Sequence, residues 1–510
     1  MAIATFCSRI LGLVREQVLA FSFGASGFTD AFLIAYRIPN LLRDLFAEGA
    51  FSSAFVPTFV EASQRGREEA RKLFWSLFIL LTLLTLSISL VIYIFAPELI
   101  HLFAPTFYKD PEKFQLTVTL TRIMAPFLCL VSLAALFMGV LNSLKVFFIP
   151  SFAPVFFNVA MIGSMLAFPP ILISKGLHPA ISLGIGVILG GLLQALVQFP
   201  LILKNGYGPK KPDKLFTNDT KKVFKLLGPG LVGFAATQIN LLVNTILASG
   251  TIVGAVSWLS FAFRLFQLPV GILSVSIGNS NLVHFSNAWK AGNKEEAKEL
   301  LTSSFFLSCF MVFPAMIALI MCSNEMINVI FERGKFDTYS TFMTAKALKW
   351  YALGLPFYSI YKIFVPTFYA IDRQKIPVYC SIFGIAFNIL FCTLLVDNYG
   401  FEVLAIGTTL SMFLNSFLQG VILKKDLQME SDQFINLRFH KLIAGAICSG
   451  LSIFYLKSFF NFYEMPFIYR CSTLVLYLFT IAFVYFVVCV ILGERALVTS
   501  VINKISKRKR

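Results

Sequence analysis

Eight charged residues, Arg9, Arg15, Glu16, Asp30, Arg37, Arg43, Asp44 and Glu48, lie within or beside apolar sequence at the start of the chain. A charge at the centre of a bilayer costs ~2.5–3.5 kcal/mol on insertion scales, so this many in apolar surroundings implies a water-filled cavity or mutual pairing. Arg122, Arg264, Lys346, Lys349 and Lys362 add cations with few carboxylates nearby, and the surplus is positive. A cationic cavity away from bulk water suits an anionic cargo, and the planar guanidinium can hold two phosphate oxygens at once. Ser8 beside Arg9, and the helix breaks at Gly24, Gly27 and Pro39, offer hydroxyl and backbone donors to the same anion. The competing reading is that Arg15 with Glu16, and Arg43 with Asp44 and Glu48, neutralise one another or reach for the interface. Arg37 and Arg122, near span ends, are evenly balanced between the two. Arg264 sits alone in a long apolar span with no acid close in sequence, which favours function.

Long apolar elements must carry these groups. Of 510 residues 57% are hydrophobic, only 14% are charged and 57 are Phe, and the mean hydropathy is +0.78. Such a chain lives in lipid. A spanning helix needs roughly 20 apolar residues and must satisfy its own backbone hydrogen bonds. The expected class is therefore all-α integral membrane, with fourteen transmembrane helices. Apolar stretches at 3–23, 28–60, 73–103, 116–143, 150–169 and 180–203 make an N-terminal lobe, 1–203, followed by a Lys-rich linker, 204–225. Stretches at 226–247, 252–283, 300–322, 344–370, 376–396 and 401–423 make a C-terminal lobe, 226–425. A second linker, 426–441, leads to two more helices within 442–493 and a basic tail, 494–510.

With a cytoplasmic N-terminus, the inside loops and tail carry 27 Lys and Arg and the opposite loops carry 6, so both termini are expected in the cytoplasm. Anionic lipid headgroups suffice as partners for Lys507–Arg510. Met1–Gly24 has no basic leader and keeps Arg9 and Arg15 inside its apolar run, which argues against a cleaved signal peptide. A short repeat supports two halves: Ala25-Ser26-Gly27 precedes Ala35-Tyr36-Arg37, and Ala248-Ser249-Gly250 precedes Ala262-Phe263-Arg264. The two gaps differ by four residues, about one helical turn. Both copies precede a proline, Pro39 and Pro269.

The nine cysteines form no CxxC and read as packing residues. The four His (101, 178, 284, 440) are far apart, and no HExxH, GxSxG or Walker loop occurs, so neither catalysis nor a metal is expected. The net charge of +17 is spread over loops and spans, which excludes a nucleic-acid surface. No cofactor is called for; energy is left to the membrane potential or a cation gradient. A cation site in the second half would rest on neutral groups such as Asn240, Asn244 or Asn388, and a buried Asn more often bridges helices.

Several segments together resemble one family. Cys7-Ser8-Arg9-Ile10-Leu11-Gly12-Leu13-Val14-Arg15-Glu16, Thr29-Asp30-Ala31-Phe32, Ile38-Pro39-Asn40-Leu41-Leu42-Arg43 and Phe46-Ala47-Glu48-Gly49-Ala50-Phe51 resemble the N-terminal signature of the MurJ (MviN) family. Ile149-Pro150-Ser151-Phe152-Ala153-Pro154, Val256-Ser257-Trp258, Arg264 with Leu268-Pro269-Val270-Gly271, Phe331-Glu332-Arg333-Gly334-Lys335-Phe336 and Phe368-Tyr369-Ala370 extend the match. The resemblance covers residues 1–425 well and the last two helices by pattern only.

The resemblance implies the fold of the multidrug/oligosaccharidyl-lipid/polysaccharide exporter superfamily: two six-helix lobes around a central cavity, plus two C-terminal helices forming a groove for a lipid tail. It implies a multi-pass flippase of the bacterial inner membrane, not an enzyme, that carries lipid II, the undecaprenyl-diphosphate-linked cell-wall precursor, by alternating access. Membrane lipids and the cell-wall synthesis machinery are the implied partners. Carried over by position, Arg9, Arg15, Arg43, Arg264 and Ser8 are candidates for the diphosphate; Asp30, Glu48, Glu16 and Ser257 are candidates for pairing that changes between states. Phe-rich 453–463 and 478–486 are candidates for the tail groove. Another polyprenyl-diphosphate-linked glycan, or cation-coupled export on the same fold, remain as alternatives. Two departures stand out: Phe263 replaces the acid that usually precedes the second-lobe arginine, and 281–286 reads Asn-Leu-Val-His-Phe-Ser where the family has a Leu-Pro-Ser-Leu-Ser-like end. The chain also begins almost inside its first helix, short of some family-typical residues.

Overall fold

The computed structural model describes residues 2–47, 50–271, 275–430 and 433–495, with 497 and 499. Among the described residues every regular element is helical, and nine helical stretches are long and apolar enough to cross a membrane. Their outer faces keep large apolar side chains exposed, Leu83, Leu90 and Ile173 among them, as a lipid-facing surface requires. Packing divides the chain into two compact units, Met1–Ser257 with Arg333–Phe336, and Trp258–Glu332 with Asp337–Arg510.

The first unit contains α1 (Ala2–Phe23), α2 (Gly27–Ala47), α3 (Ala50–Arg65), α4 (Arg67–Ile94), α5 (Ala96–Phe103), α6 (Pro111–Met124), α7 (Phe127–Ser143), α8 (Phe148–Ser174), α9 (Ile181–Leu196), α10 (Phe199–Lys204) and α11 (Asn218–Ser249). Local chemistry starts these helices. Asp110 caps α6 by accepting from the Lys113 N–H at 3.2 Å, with Pro111 at the first helical position. Thr217 and Thr220 form a reciprocal capping box on α11. The core is aromatic: Phe51, Phe55 and Phe59, one helical turn apart on α3, pack ring against ring in series and end on Tyr207. Helix α8 packs on both α1 and α9. At Gly186 and Gly190 of α9 the side chains of Met161 and Phe157 occupy the space a Cβ would need, the close approach that small residues allow between membrane helices.

The loop Arg333–Phe336 belongs to this unit although the helices on either side of it do not. Its Lys335 N–H donates to the Phe21 carbonyl at the end of α1, at 2.9 Å. The contact is backbone on backbone. Gly24 and Gly334 have φ of 66° and 61°, and a Cβ on either would fall 2.4 Å from a carbonyl oxygen, that of Lys335 or of Phe21 respectively. Only glycine fits both the left-handed backbone and the missing space.

The second unit is built from most of α12 (Ala255–Pro269) and from α13 (Val275–Lys290), α14 (Lys294–Met321), α15 (Ser323–Phe331), α16 (Thr338–Leu353), α17 (Leu355–Ala370), α18 (Lys375–Tyr399), α19 (Glu402–Asp426), α20 (Leu437–Lys457) and α21 (Phe467–Ile491). Helices α18 and α19 pair, α20 and α21 pair, and α14 packs on both α17 and α20. Phe305, Phe310 and Phe313 of α14 contact Phe364, Phe439 and Tyr485 in a second aromatic core. The α20–α21 pair is pinned by Lys457, which donates to the buried Glu325 of α15 at 2.6 Å.

Four apolar stretches read as single spans, 73–103, 116–143, 180–203 and 344–370, each resolve into two helices, with Pro97 and Pro200 at the starts of α5 and α10. Pro126 between α6 and α7, and Gly354 with Pro356 between α16 and α17, supply the breaks. Helix α11, placed by the sequence at the head of the second lobe, packs on α3 in the first unit. The repeat also looks different in three dimensions. Arg37 lies ten residues beyond the first residue of α2 and Arg264 nine beyond the first of α12, so the four-residue difference is absorbed by the longer turn Gly250–Gly254 rather than by a turn of helix.

Gly24→Ala and Gly334→Ala should each lower stability by about 2 kcal/mol or more, from backbone strain plus collision with a peptide group. Gly292→Ala, with φ of 81° but nothing within 4 Å of the added Cβ, should cost less. Thermal unfolding midpoints of the detergent-purified chain check the ranking.

Candidate functional site

Helix α12 starts without a cap of its own: Gly254 precedes it, and no acidic residue lies in its first turn. Its free N–H groups are taken by Asp30, one turn into α2 and 1% exposed. The Gly254 N–H donates to Asp30 Oδ2 at 2.7 Å, and the Ser257 N–H donates to Oδ1 at 2.9 Å. The Ser257 hydroxyl adds a third bond to Oδ1 at 2.6 Å. A carboxylate distant in sequence thus performs the N-cap function, with its charge against the positive end of the helix.

The charge is balanced by Lys113 of α6, whose Nζ lies 3.7 Å from Asp30 Oδ2. The ammonium also sits 3.7 Å from the centroid of the Phe107 ring, a cation–π contact in buried surroundings. Phe107 is held by the turn Pro105–Lys109, whose Thr106 hydroxyl donates to the Ser249 carbonyl at the end of α11, at 2.6 Å. Thr29 and Ser26 tie the turn between α1 and α2 by donating to the carbonyls of Gly24 and Phe23 at 2.7 and 2.9 Å. Two residues before Asp30, the Phe28 ring packs 4.4 Å from that of His178 in the α8–α9 loop. His178 Nδ1 accepts from the Ala180 N–H at 3.1 Å. One end of the first unit is therefore closed by α2, the turn before α6, the α8–α9 loop, the α11–α12 turn and the loop Arg333–Phe336.

The structure unites Asp30 with Ser257 and distributes the other predicted residues. Arg15 pairs with its neighbour Glu16, which is buried, and lies 5.8 Å from the Phe157 ring. Ser8 is half-buried, and its carbonyl accepts from the Asn158 amide at 3.3 Å. Arg9 is exposed on α1, and Arg264 is exposed on α12 in the second unit. The Arg43 side chain and Glu48 lie outside the described residues. Arg122 is engaged at the edge of the unit, donating to the Tyr93 carbonyl at 3.3 Å. Lys113 and Gly254 were not anticipated from sequence. The missing cap before α12, with Ser257 at its third position, is the signal that a remote acceptor was needed. Along α21 of the second unit, Phe479, Phe483, Phe486 and Ile491 line an apolar cavity of about 450 Å³. Among the described residues no three His, Cys, Asp or Glu gather as a metal site.

The family model described as lipid II flippase MurJ matches residues 19–474. The chain belongs to the lipid II flippase MurJ family. It is 36% identical over 461 residues to the lipid II flippase MurJ of Burkholderia cenocepacia, covering 88% of this chain and 87% of that one. It is 33% identical over 467 residues to the probable lipid II flippase MurJ of Rickettsia prowazekii, covering 90% of each. A solved lipid II flippase MurJ in an inward closed conformation superposes with a TM-score of 0.81 at 28% identity, over 97% of this chain and 99% of that one. A multidrug resistance MATE family transporter of the MOP superfamily, inward-facing, shares the fold with a TM-score of 0.66 at 14% identity, over 82% of this chain and 94% of that one. The MurJ family is one of flippases, which are transporters and not enzymes. Together with the nine apolar helices, membership makes this a multi-pass protein of the bacterial inner membrane.

In this MurJ family member, Asp30→Ala should leave two buried N–H groups and Lys113 without their acceptor, a loss of about 3 kcal/mol. Ser257→Ala, which keeps both backbone bonds, should lose about 1 kcal/mol. Denaturation of the two purified variants beside the parent tests the order. His178 provides a pH test. Burial lowers its pKa, Glu112 pulls it up and Lys335 pushes it down, leaving it below the ordinary 6.5. The folded chain then binds fewer protons there than the unfolded one, so this contribution is complete above about pH 6.5 and disappears as pH falls through the lower folded value. Acidification from about pH 7 to about pH 5 should lower the unfolding midpoint less in His178→Gln than in the parent.

Proposed function

We propose that this chain flips lipid II from the cytoplasmic to the periplasmic leaflet by alternating access. The observation that carries the reading is the capping of α12 by Asp30, in a chain that belongs to the lipid II flippase MurJ family. A closure built from one carboxylate, two N–H groups, a hydroxyl and a lysine is reversible. When that end opens, each group exchanges its protein partner for water, and the net cost of such an exchange is small beside the gross strength of the bonds. Buried apolar contacts alone would give no such polar switch.

In this reading fourteen helices form two six-helix lobes and a C-terminal pair, with both termini cytoplasmic. Arg9, Arg15, Arg43 and Arg264 bind the diphosphate, with Ser8 assisting; Asp30, Glu16, Glu48 and Ser257 change partners between states. The apolar cavity along α21 takes the polyprenyl tail. Cargo that binds the two states unequally shifts their populations, and the membrane potential or a cation gradient supplies the bias.

The test is rescue of a strain conditionally depleted of its lipid II flippase, with membrane levels of each variant measured. The parent chain should rescue, whereas Arg9→Ala, Arg43→Ala, Arg264→Ala and Asp30→Ala, at equal membrane levels, should reduce rescue at least tenfold, the loss expected for about 1.4 kcal/mol of differential binding. A parent chain that inserts fully and fails to rescue overturns lipid II as cargo and favours a different polyprenyl-diphosphate-linked glycan.

A further inference from the structure

The segment between α10 and α11 is not a slack connection. Trp75 Nε1 donates to the Gly208 carbonyl at 2.7 Å, Arg71 donates to the carbonyls of Gly208 and Pro209 at 2.9 and 3.1 Å, and Arg67 donates to the Asn205 carbonyl. Gly206 has φ of 88°, and the space its Cβ would need is filled by the Arg67 guanidinium at 2.5 Å. The linker is strapped along the start of α4 by side chains that read its backbone.

The strap presents cations that the protein itself does not use. Arg65 pairs with Asp219, Lys210 with Glu68 and Lys222 with Glu61. Lys211, Lys214, Lys221 and Lys225 are all exposed, and among the described residues none has a carboxylate partner. Asp213, beside Lys72, is the remaining acid of the segment. Lys221 stands in the first turns of α11, where the positive helix end repels a cation, so helix stability does not account for it. Phe216 stands among them 64% exposed. It directly precedes the N-cap Thr217, a position from which an apolar side chain normally packs on the fourth helical residue. That residue here is Lys221, so Phe216 has no intramolecular staple, and Leu226 is 47% exposed nearby.

We propose that this strapped segment is a docking surface for anionic phospholipid: Phe216 enters the headgroup boundary while Lys211, Lys214, Lys221 and Lys225 engage lipid phosphates. Aromatic residues settle at that boundary, and juxtamembrane lysines are drawn to anionic leaflets. The arrangement holds the α10–α11 junction on the membrane surface. It rests on the sidedness assigned to linker 204–225 and not on the identity of the cargo.

The test uses the full chain with Phe216→Trp, reconstituted in vesicles containing either acyl-brominated phosphatidylglycerol or acyl-brominated phosphatidylcholine at equal bromine content. The parent chain in the same vesicles is subtracted to remove the native tryptophans. Brominated phosphatidylglycerol should quench the added tryptophan at least about twofold more than brominated phosphatidylcholine, and the preference should fall with added salt. Converting the four lysines to Gln, all at exposed positions, should equalise the two lipids. Gly206→Ala, which keeps every lysine but displaces Arg67, should weaken the preference. Equal quenching by both lipids with the lysines present overturns the proposal. Quenching by neither lipid also overturns it and points to an acidic protein surface as the occupant. Neither result bears on lipid II rescue, so failure here and failure of the cargo assignment are separable.

Discussion

A carboxylate removed from water inside a membrane protein must be given donors, and the way Asp30 finds them governs one whole end of the first unit. Its acceptors are spent on the start of α12, where the peptide N–H groups have no local partner. The remaining charge requires Lys113, which requires a surface to lie on, provided by Phe107. Phe107 belongs to a turn fixed by Thr106 on the end of α11. Three regions distant in sequence, around Asp30, 105–113 and 249–257, are therefore positioned by the solvation of one side chain.

The second unit handles polarity differently. Its buried polar side chains are mostly neutral: Asn415 donates to Ser381 at 3.2 Å and Ser411 donates to the Gly384 carbonyl at 2.7 Å, both from α19 to α18, while Gln419 donates to Asn415 within α19 at 2.7 Å. Such bonds fix helix register at little desolvation cost compared with a charge. Buried carboxylates are paired at junctions: Glu325 with Lys457 fastens the terminal helix pair to α15, and Glu494, just after α21, lies 3.5 and 3.6 Å from Arg438 and Lys441 of α20. Ionic contacts are thus placed where segments meet, and neutral ones within a helical seam.

Helical class and membrane residence were legible because apolar length is a local property of the chain. Asp30 and Ser257 were legible as candidates too, since a charge in apolar sequence and a recognisable segment are both visible without coordinates. Their pairing was not deducible from spacing, with more than two hundred residues between them, and nothing in the sequence ties Lys113 to either. The break at Pro126 carried its signal, but in the run 28–60 Pro39 and Pro57 lie inside helices and end neither of them. Arg15 and Glu16 were legible both as site candidates and as a mutually neutralising pair, and in this structure they are paired. The linker lysines read as an orientation signal; that Trp75 and Arg71 hold their backbone in place is a tertiary fact.

The facing glycines at 24 and 334 have a further implication for how this protein can vary. What each added side chain would strike first is a peptide carbonyl, at 2.4 Å, with the Phe21 ring close behind at Gly334. No enlarging change at one position can be offset by a shrinking change at the other, because nothing there can be made smaller. A library randomised at both sites would return the same residue pair repeatedly, and recombination that imports a loop lacking glycine at 334 would fail whatever helix it met.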